Sequence, residues 1–189
     1  MNKEYVNIPN VLSLFRLIGV PILFILITLE SVIWFAALYV ILGLTDYFDG
    51  LLARRWNQVT ELGSMLDSIA DLAYYISTAY FLIVLFPEYF YPNIPYLYLV
   101  FTLLAVSLFI SKLKLGKVLI LHTHISRLSG VLVFFAFIGS FFMNTTLLIR
   151  LIILLYSISF IESIAIILKY GLVDPDTRTI FRLKKKNII

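Results

Sequence analysis

The chain contains no cysteine. That removes disulfides, thiolate nucleophiles and thiolate-based zinc sites from consideration. Charge is scarce as well. Only 14% of the 189 residues are Asp, Glu, Lys or Arg, against about 25% in a soluble domain. With 61% hydrophobic residues and a mean hydropathy of +1.00, the chain cannot cover its surface with polar groups. A water-soluble globule is therefore excluded. Disorder is excluded too, because the charge is low and aromatic residues make up 16%. Period-two alternation is missing, which argues against a transmembrane β-barrel. There is no internal repeat and no long linker. No small-residue cleavage site follows the first apolar run, so that run is expected to be a retained span rather than a signal peptide.

What is present is a set of long apolar stretches, and a spanning helix needs roughly 20 such residues. Six qualify: Val11 to Leu29, Val32 to about Arg54, Glu61 to Phe86, Tyr96 to Leu113, His124 to Met143 and Thr146 to Tyr170. The segment Pro87 to Pro95 (PEYFYPNIP) is an expected turn at a membrane surface, where aromatic residues collect. The expected fold class is thus an all-α polytopic membrane protein with six transmembrane helices, forming a single domain over residues 1–189.

With six spans, every one of the 15 Lys and Arg residues except Arg150 falls on the side of the N-terminus. By the positive-inside rule both termini are cytoplasmic. The formal net charge of +4 is then topological, and no nucleic-acid partner is expected. The tail Lys184-Lys185-Lys186 is placed to touch anionic lipid headgroups.

Four carboxylates stand where lipid should not tolerate them: Asp46, Asp49, Asp67 and Asp71. A carboxylate at membrane depth costs several kcal/mol, so such residues face a cavity and carry function. Asp46 and Asp49 are spaced i,i+3, and Asp67 and Asp71 i,i+4, so each pair lies on one helix face. At 1.5 Å per residue, Asp46 lies about 21 Å into a helix that starts on the far side, and Asp67 and Asp71 about 10 and 16 Å into one that starts on the cytoplasmic side. The two pairs can meet within the cytoplasmic leaflet. Four converging carboxylates need cations, and all-oxygen ligation suits Mg²⁺ or Mn²⁺, with two ions shared among them.

Small residues flank the acids. Gly50 follows Asp46 by one turn, Ala53 follows Asp49 by one turn, and Gly63 precedes Asp67 by one turn. Alone, each would be ordinary helix packing. Arg54 adds a permanent cation suited to phosphate. Together these residues describe a metal-bridged diphosphate pocket open to the headgroup layer.

The run Asp46-Tyr-Phe-Asp49-Gly50-Leu-Leu-Ala53-Arg54, eight further residues, then Gly63-Ser-Met-Leu-Asp67-Ser-Ile-Ala-Asp71 resembles the signature of the CDP-alcohol phosphotransferase family. Every fixed position of D-x2-D-G-x2-A-R-x8-G-x3-D-x3-D is filled. The resemblance implies transfer of a substituted phosphate from a CDP-linked lipid to an alcohol, with release of CMP. It implies that Asp46, Asp49 and Asp67 bind metal, and that Asp71 is the general base and also touches the second ion. It further implies that the CDP moiety is held by Gly50, Ala53 and Arg54, beside Asp46, Asp49, Gly63 and Asp67, and that the protein is a homodimer.

The opening Asn7-Ile8-Pro9-Asn10, with Ser13 and Arg16, resembles that of phosphatidylglycerophosphate synthases and related cardiolipin synthases. Their acceptors are glycerol 3-phosphate and phosphatidylglycerol. Those enzymes usually read D-P-x-A-D-K across the last two acids, whereas this chain reads Asp67-Ser68-Ile69-Ala70-Asp71-Leu72, which is closer to phosphatidylserine synthases. Glycerol 3-phosphate is the first choice of acceptor, with serine, inositol phosphate and phosphatidylglycerol as alternatives. An anionic acceptor needs further cations. Arg127, one turn into the fifth span, is the leading candidate, followed by Lys112 and Lys117. Glu162, mid-span in the last helix, is expected to face Arg127, the acceptor site or a serine. His122 and His124 are read as interfacial.

The reading is a phospholipid-synthesising transferase in the plasma membrane, with its active site facing the cytoplasm. It acts on a CDP-diacylglycerol-type (or ether-lipid) donor and a small alcohol. A cation or proton transporter is the rival from another class, because intramembrane acids suit it too. Transporters, however, favour repeats and broken midplane helices, and Arg54 would repel a passing cation.

Overall fold

The computed structural model describes residues 8–55, 60–119, 121, 123–173, 177, 179 and 180; within its helices the side chains of residues 47–54, 61, 62 and 64 lie outside that description. The regular structure among the described residues is all helical, with no strand. In chain order the helices are α1 (Ile8–Thr28), α2 (Val32–Arg55), α3 (Glu61–Leu85), α4 (Pro87–Phe90), α5 (Ile94–Leu115), α6 (His124–Gly139) and α7 (Thr146–Tyr170), with a 3₁₀ turn at Tyr91–Asn93 between α4 and α5. Among the described residues, four stretches are long and apolar enough to cross a membrane: Ile8–Thr28, Met65–Leu85, Pro87–Leu115 and Thr146–Tyr170. Val32–Asp46 and His124–Gly139 are shorter apolar helices. The chain is an all-α, polytopic integral membrane protein.

The helices form two compact units, Met1–Leu85 and Phe86–Ile189. In the first, α1 packs on both α2 and α3. The buried face of α1 is Pro9, Asn10, Ser13, Arg16, Gly19, Val20 and Leu23, the three-to-four-residue spacing of a single helix stripe. Small residues on that stripe let the backbones approach. A Cβ at Gly19 would sit 2.5 Å from Leu42 Cδ2, so the buried Leu42 side chain of α2 packs directly on the bare backbone of α1 there. Farther along, Phe81 takes Phe24 at 4.7 Å and Phe35 edge-on at 5.0 Å between ring centroids, and Tyr39 stacks on Tyr74 at 5.0 Å. The Tyr74 hydroxyl donates to the Tyr39 carbonyl at 3.0 Å, and the Tyr39 and Thr78 hydroxyls lie 3.1 Å apart. Outward-facing residues of α1 such as Ile18, Ile22 and Ile25 are exposed aliphatics, as lipid requires.

In the second unit α7 packs against α5 and α6 through Ile149, Ile152, Ile153, Ser157, Ser159, Ser163, Ile166 and Ile167. Serine hydroxyls on that face are satisfied locally: Ser157 and Ser163 donate to the carbonyls four residues back, and Ser159 pairs with Thr123 at 2.8 Å. The fully buried Asn93 donates to the carbonyls of Tyr89 and Thr146 and accepts from Arg150 Nε at 3.3 Å. Arg150 also lies 4.8 Å over the Tyr96 ring.

The first helix starts at Ile8 rather than Val11 and α5 runs Ile94–Leu115 rather than Tyr96 to Leu113, and two further boundaries differ from the sequence expectation. The expected turn at residues 87–95 is two short helical segments, each with a proline in its first turn, where a missing N–H costs nothing. The fifth apolar stretch ends its helix at Gly139 rather than Met143, and just past that end the Ser140 hydroxyl donates to the Ala136 carbonyl at 2.8 Å and pairs with Thr145 across the turn. Lys3, Asn7, His122, Arg178 and the Lys184-Lys185-Lys186 tail lie outside the described residues.

Candidate active site

Three helices of the first unit converge on one cluster. Asp46 comes from α2, Asp67 and Asp71 from α3, and Arg16 from α1. Each carboxylate offers an oxygen such that all three lie within 4.8 Å of one another. Nη1 of Arg16 donates to Asp46 Oδ1 at 2.9 Å and also to Asp71 Oδ1, while Nη2 approaches Asp67 Oδ1 at 3.5 Å. The Arg16 side chain is 0% exposed, whereas those of Asp46, Asp67 and Asp71 are 37, 39 and 36% exposed. The cation thus approaches from the protein side and leaves the carboxylates open on another.

Local structure explains the convergence. Thr60 precedes α3, and its hydroxyl accepts the Gly63 N–H at 3.0 Å, the geometry of an N-cap. Glu61 opens the helix next to it. From this fixed start, Asp67 and Asp71 project one turn apart. Gly63 itself meets Asn10 of α1: a Cβ there would overlap Asn10 Oδ1 and lie 2.9 Å from Thr60 Oγ1. The glycine read as part of an open acidic face is therefore also a contact point between α1 and α3. On α2, Thr45 bonds back to the Leu42 carbonyl at 2.6 Å directly before Asp46. Tyr74, three residues past Asp71, is buried against Tyr39 and packs rather than reaching outward.

Of the residues singled out in the sequence, Asp46, Asp67 and Asp71 are brought together. Asp49, Gly50, Ala53 and Arg54 lie on α2, and their side chains are outside the described residues. Arg127, on α6, and Lys112, at the end of α5, are exposed, as is Lys117 in the following loop; all three belong to the second unit. Glu162 accepts hydrogen bonds from the Thr179 hydroxyl at 2.8 Å and the Ile180 N–H at 3.0 Å, so the chain that returns after α7 provides partners that the sequence reading did not foresee. His124 is exposed at the first position of α6, beside the Thr123 cap.

Sequence reasoning missed the role of Arg16 at this cluster. Its signal was present: a charged residue on an apolar helix, flanked at i−3 and i+3 by Ser13 and Gly19. Small neighbours on the same stripe mark a side chain that is turned inward rather than snorkelling to the surface.

The donor set fits a hard divalent cation. Carboxylate oxygens alone, three within ligand-sharing distance and each more than a third exposed, are the ligands such ions take. Arg16 offsets one of the three negative charges and leaves a net −2 for a cation to balance.

Comparison with known proteins agrees with this chemistry. Residues 6–172 match the sequence model of the CDP-alcohol phosphatidyltransferase family. Over 78 residues the chain is 45% identical to a cardiolipin synthase (CMP-forming) of Streptomyces coelicolor, covering 38% of this chain and 36% of that protein. Over 69 residues it is 49% identical to a CDP-diacylglycerol–glycerol-3-phosphate 3-phosphatidyltransferase of Escherichia coli, covering 34% of this chain and 37% of that protein. A protein of the same description from Shigella boydii matches to the same extent. The chain thus spans little more than a third of the length of the curated relatives it matches.

Proposed function

The chain belongs to the CDP-alcohol phosphatidyltransferase family, and on that premise we propose that it transfers a phosphatidyl-type group from a CDP-diacylglycerol-type lipid to the hydroxyl of glycerol 3-phosphate, releasing CMP. The observation that carries this reading is the meeting of Asp46, Asp67 and Asp71 within 4.8 Å, at the positions of the family signature. Identity to a glycerol-3-phosphate 3-phosphatidyltransferase supports the choice of acceptor. Identity to a cardiolipin synthase favours phosphatidylglycerol as the second choice.

In this reading residues 1–189 act as one membrane domain whose six spans are α1, α2, α3, α5, α6 and α7. Both termini and the acidic cluster face the cytoplasm at the plasma membrane, where the donor and a soluble acceptor meet. The protein works as a homodimer. Asp46, Asp49, Asp67 and Asp71 hold two Mg²⁺ or Mn²⁺ ions, which supply positive charge to the diphosphate and to the departing CMP. Gly50, Ala53 and Arg54, with Gly63 one turn before Asp67, cradle the CDP moiety. Asp71 takes the proton of the acceptor hydroxyl. The hydroxyl oxygen forms a bond to the lipid-bearing phosphorus, and the bond from that phosphorus to the oxygen it shares with CMP breaks. Arg127, Lys112 and Lys117 hold the phosphate of the acceptor.

An acceptor panel tests the assignment. Purified protein with CDP-diacylglycerol and Mg²⁺ is offered glycerol 3-phosphate, phosphatidylglycerol, serine or inositol phosphate, and CMP and the lipid product are measured. Phosphatidylglycerophosphate as the main product is expected. Product from serine alone would move the chain to a different acceptor class, and no CMP with any alcohol would remove the enzyme reading.

A further inference from the structure

Arg16 is a fully buried cation whose described partners are the carboxylates expected to hold metal. We propose that it is the built-in counter-ion of the site: a positioning residue that holds Asp46, Asp67 and Asp71 together and sets how far the site depends on divalent cations. The proposal rests on the metal-site reading above.

Three observations carry it. First, Arg16 joins all three helices at the cluster: it leaves α1, bonds Asp46 on α2 and Asp71 on α3, and approaches Asp67. Without it, three carboxylates within 4.8 Å would repel one another across a medium of low dielectric. Second, its exposure is 0% against 36–39% for its partners. A group that touched substrate phosphate would have to share the open side of the carboxylates, and Arg16 instead backs them. Third, α1 is built around it. Ser13 and Gly19 clear space on the same stripe, and the Gly19 contact with Leu42 brings α1 close enough to α2 for the guanidinium to reach. A buried guanidinium is costly unless it is paired, so this arrangement persists only with the acids in place.

The physical consequence is a competition between two cations for the same negative charge. Arg16 fixes the carboxylates in position and neutralises one of them, so binding an ion adds only part of the remaining stabilisation. Replacing Arg16 by a neutral residue of similar shape leaves three unshielded carboxylates, and a divalent cation then becomes necessary to hold the helices together. A planar guanidinium is suited to bridging several carboxylates, whereas a lysine ammonium restores the charge but not the fork.

The test is thermal unfolding of the full chain in detergent, with EDTA or with saturating Mn²⁺, for the wild type, Arg16→Gln and Arg16→Lys. Arg16→Gln in EDTA is expected to unfold on the order of 10 °C lower than the wild type. Mn²⁺ should recover most of that loss, so that the metal-induced shift is larger in the variant than in the wild type. Arg16→Lys should fall between the two. Equal metal-induced shifts in the wild type and Arg16→Gln would make Arg16 a packing residue and overturn the proposal. Unchanged unfolding in EDTA with weakened CDP-lipid binding would make it a substrate contact and overturn it equally. No response to Mn²⁺ in any of the proteins would remove the metal site itself, which is a separate failure. If Arg16→Gln does not accumulate, the double variant Arg16→Gln/Asp46→Asn, which removes a charge of each sign, is expected to restore folded protein. Failure of that double variant as well would assign Arg16 to helix packing alone.

Discussion

Asn10 of α1 lies against the bare Cα of Gly63 on α3, one helical turn before Asp67. This contact sets how closely α1 can approach the helix that carries two of the clustered acids. It also places Arg16, less than two turns beyond Asn10, within reach of them.

Gly63→Ala is therefore expected to disturb the site through packing. The added methyl would overlap Asn10 Oδ1 and crowd Thr60 Oγ1 at 2.9 Å. Overpacking of this kind costs about 1–3 kcal/mol, which lowers the unfolding temperature by roughly 3–10 °C in a chain of this size. A double-mutant cycle with Asn10→Ala measures it. The second substitution should return much of the loss, whereas simple additivity would place the effect elsewhere.

Much of this architecture is legible in the sequence for physical reasons. The ends of α3 and α7 fall within a residue of the apolar stretches, because apolar runs of bilayer length have few alternatives to a helix. Asp46, Asp67 and Asp71 were readable as a cluster because leaving them in lipid is costly and because the rise per residue puts Asp46 of one helix at the level of the i,i+4 pair Asp67 and Asp71 of the next. Arg16 was not. Positional counting assigned it to the cytoplasmic charge balance, and a single sequence does not state which residue of one helix meets which face of another. Glu162 is a similar case: its partners, Thr179 and Ile180, come from a returning segment with no periodic signal.

Tyr74→Phe separates stability from catalysis. It removes the hydroxyl that donates to the Tyr39 carbonyl at 3.0 Å but keeps the ring stacked on Tyr39. A net loss of about 1 kcal/mol is expected, seen as a small drop in unfolding temperature with turnover per folded molecule unchanged. A large fall in turnover would bring Tyr74 into the reaction.

Asp71→Asn should abolish turnover and largely spare binding of the CDP-lipid. The amide keeps the size of the side chain but cannot take the acceptor proton. Equilibrium binding of a CDP-diacylglycerol analogue, measured beside single-turnover CMP release, checks both halves. Lost binding with normal turnover of the bound fraction would reassign the residue to donor recognition.

Arg127→Gln should raise the KM for glycerol 3-phosphate by about tenfold or more, the size of a lost charge-assisted hydrogen bond. The KM for the CDP-lipid should stay within about twofold, since the substitution leaves the acidic cluster intact. Steady-state kinetics with each substrate varied in turn decides the matter. Equal effects on both would remove Arg127 from a specific acceptor role, and Lys112→Gln and Lys117→Gln are read in the same way.

The most direct test of the central claim is CMP release by the purified chain from CDP-diacylglycerol and glycerol 3-phosphate, measured after EDTA treatment and again after Mg²⁺ or Mn²⁺ is restored. If the clustered carboxylates hold divalent cations against the donor diphosphate, release stops with chelation and returns with the metal, and Asp46→Asn does not recover with it. Turnover that persists undiminished after complete chelation would contradict the account.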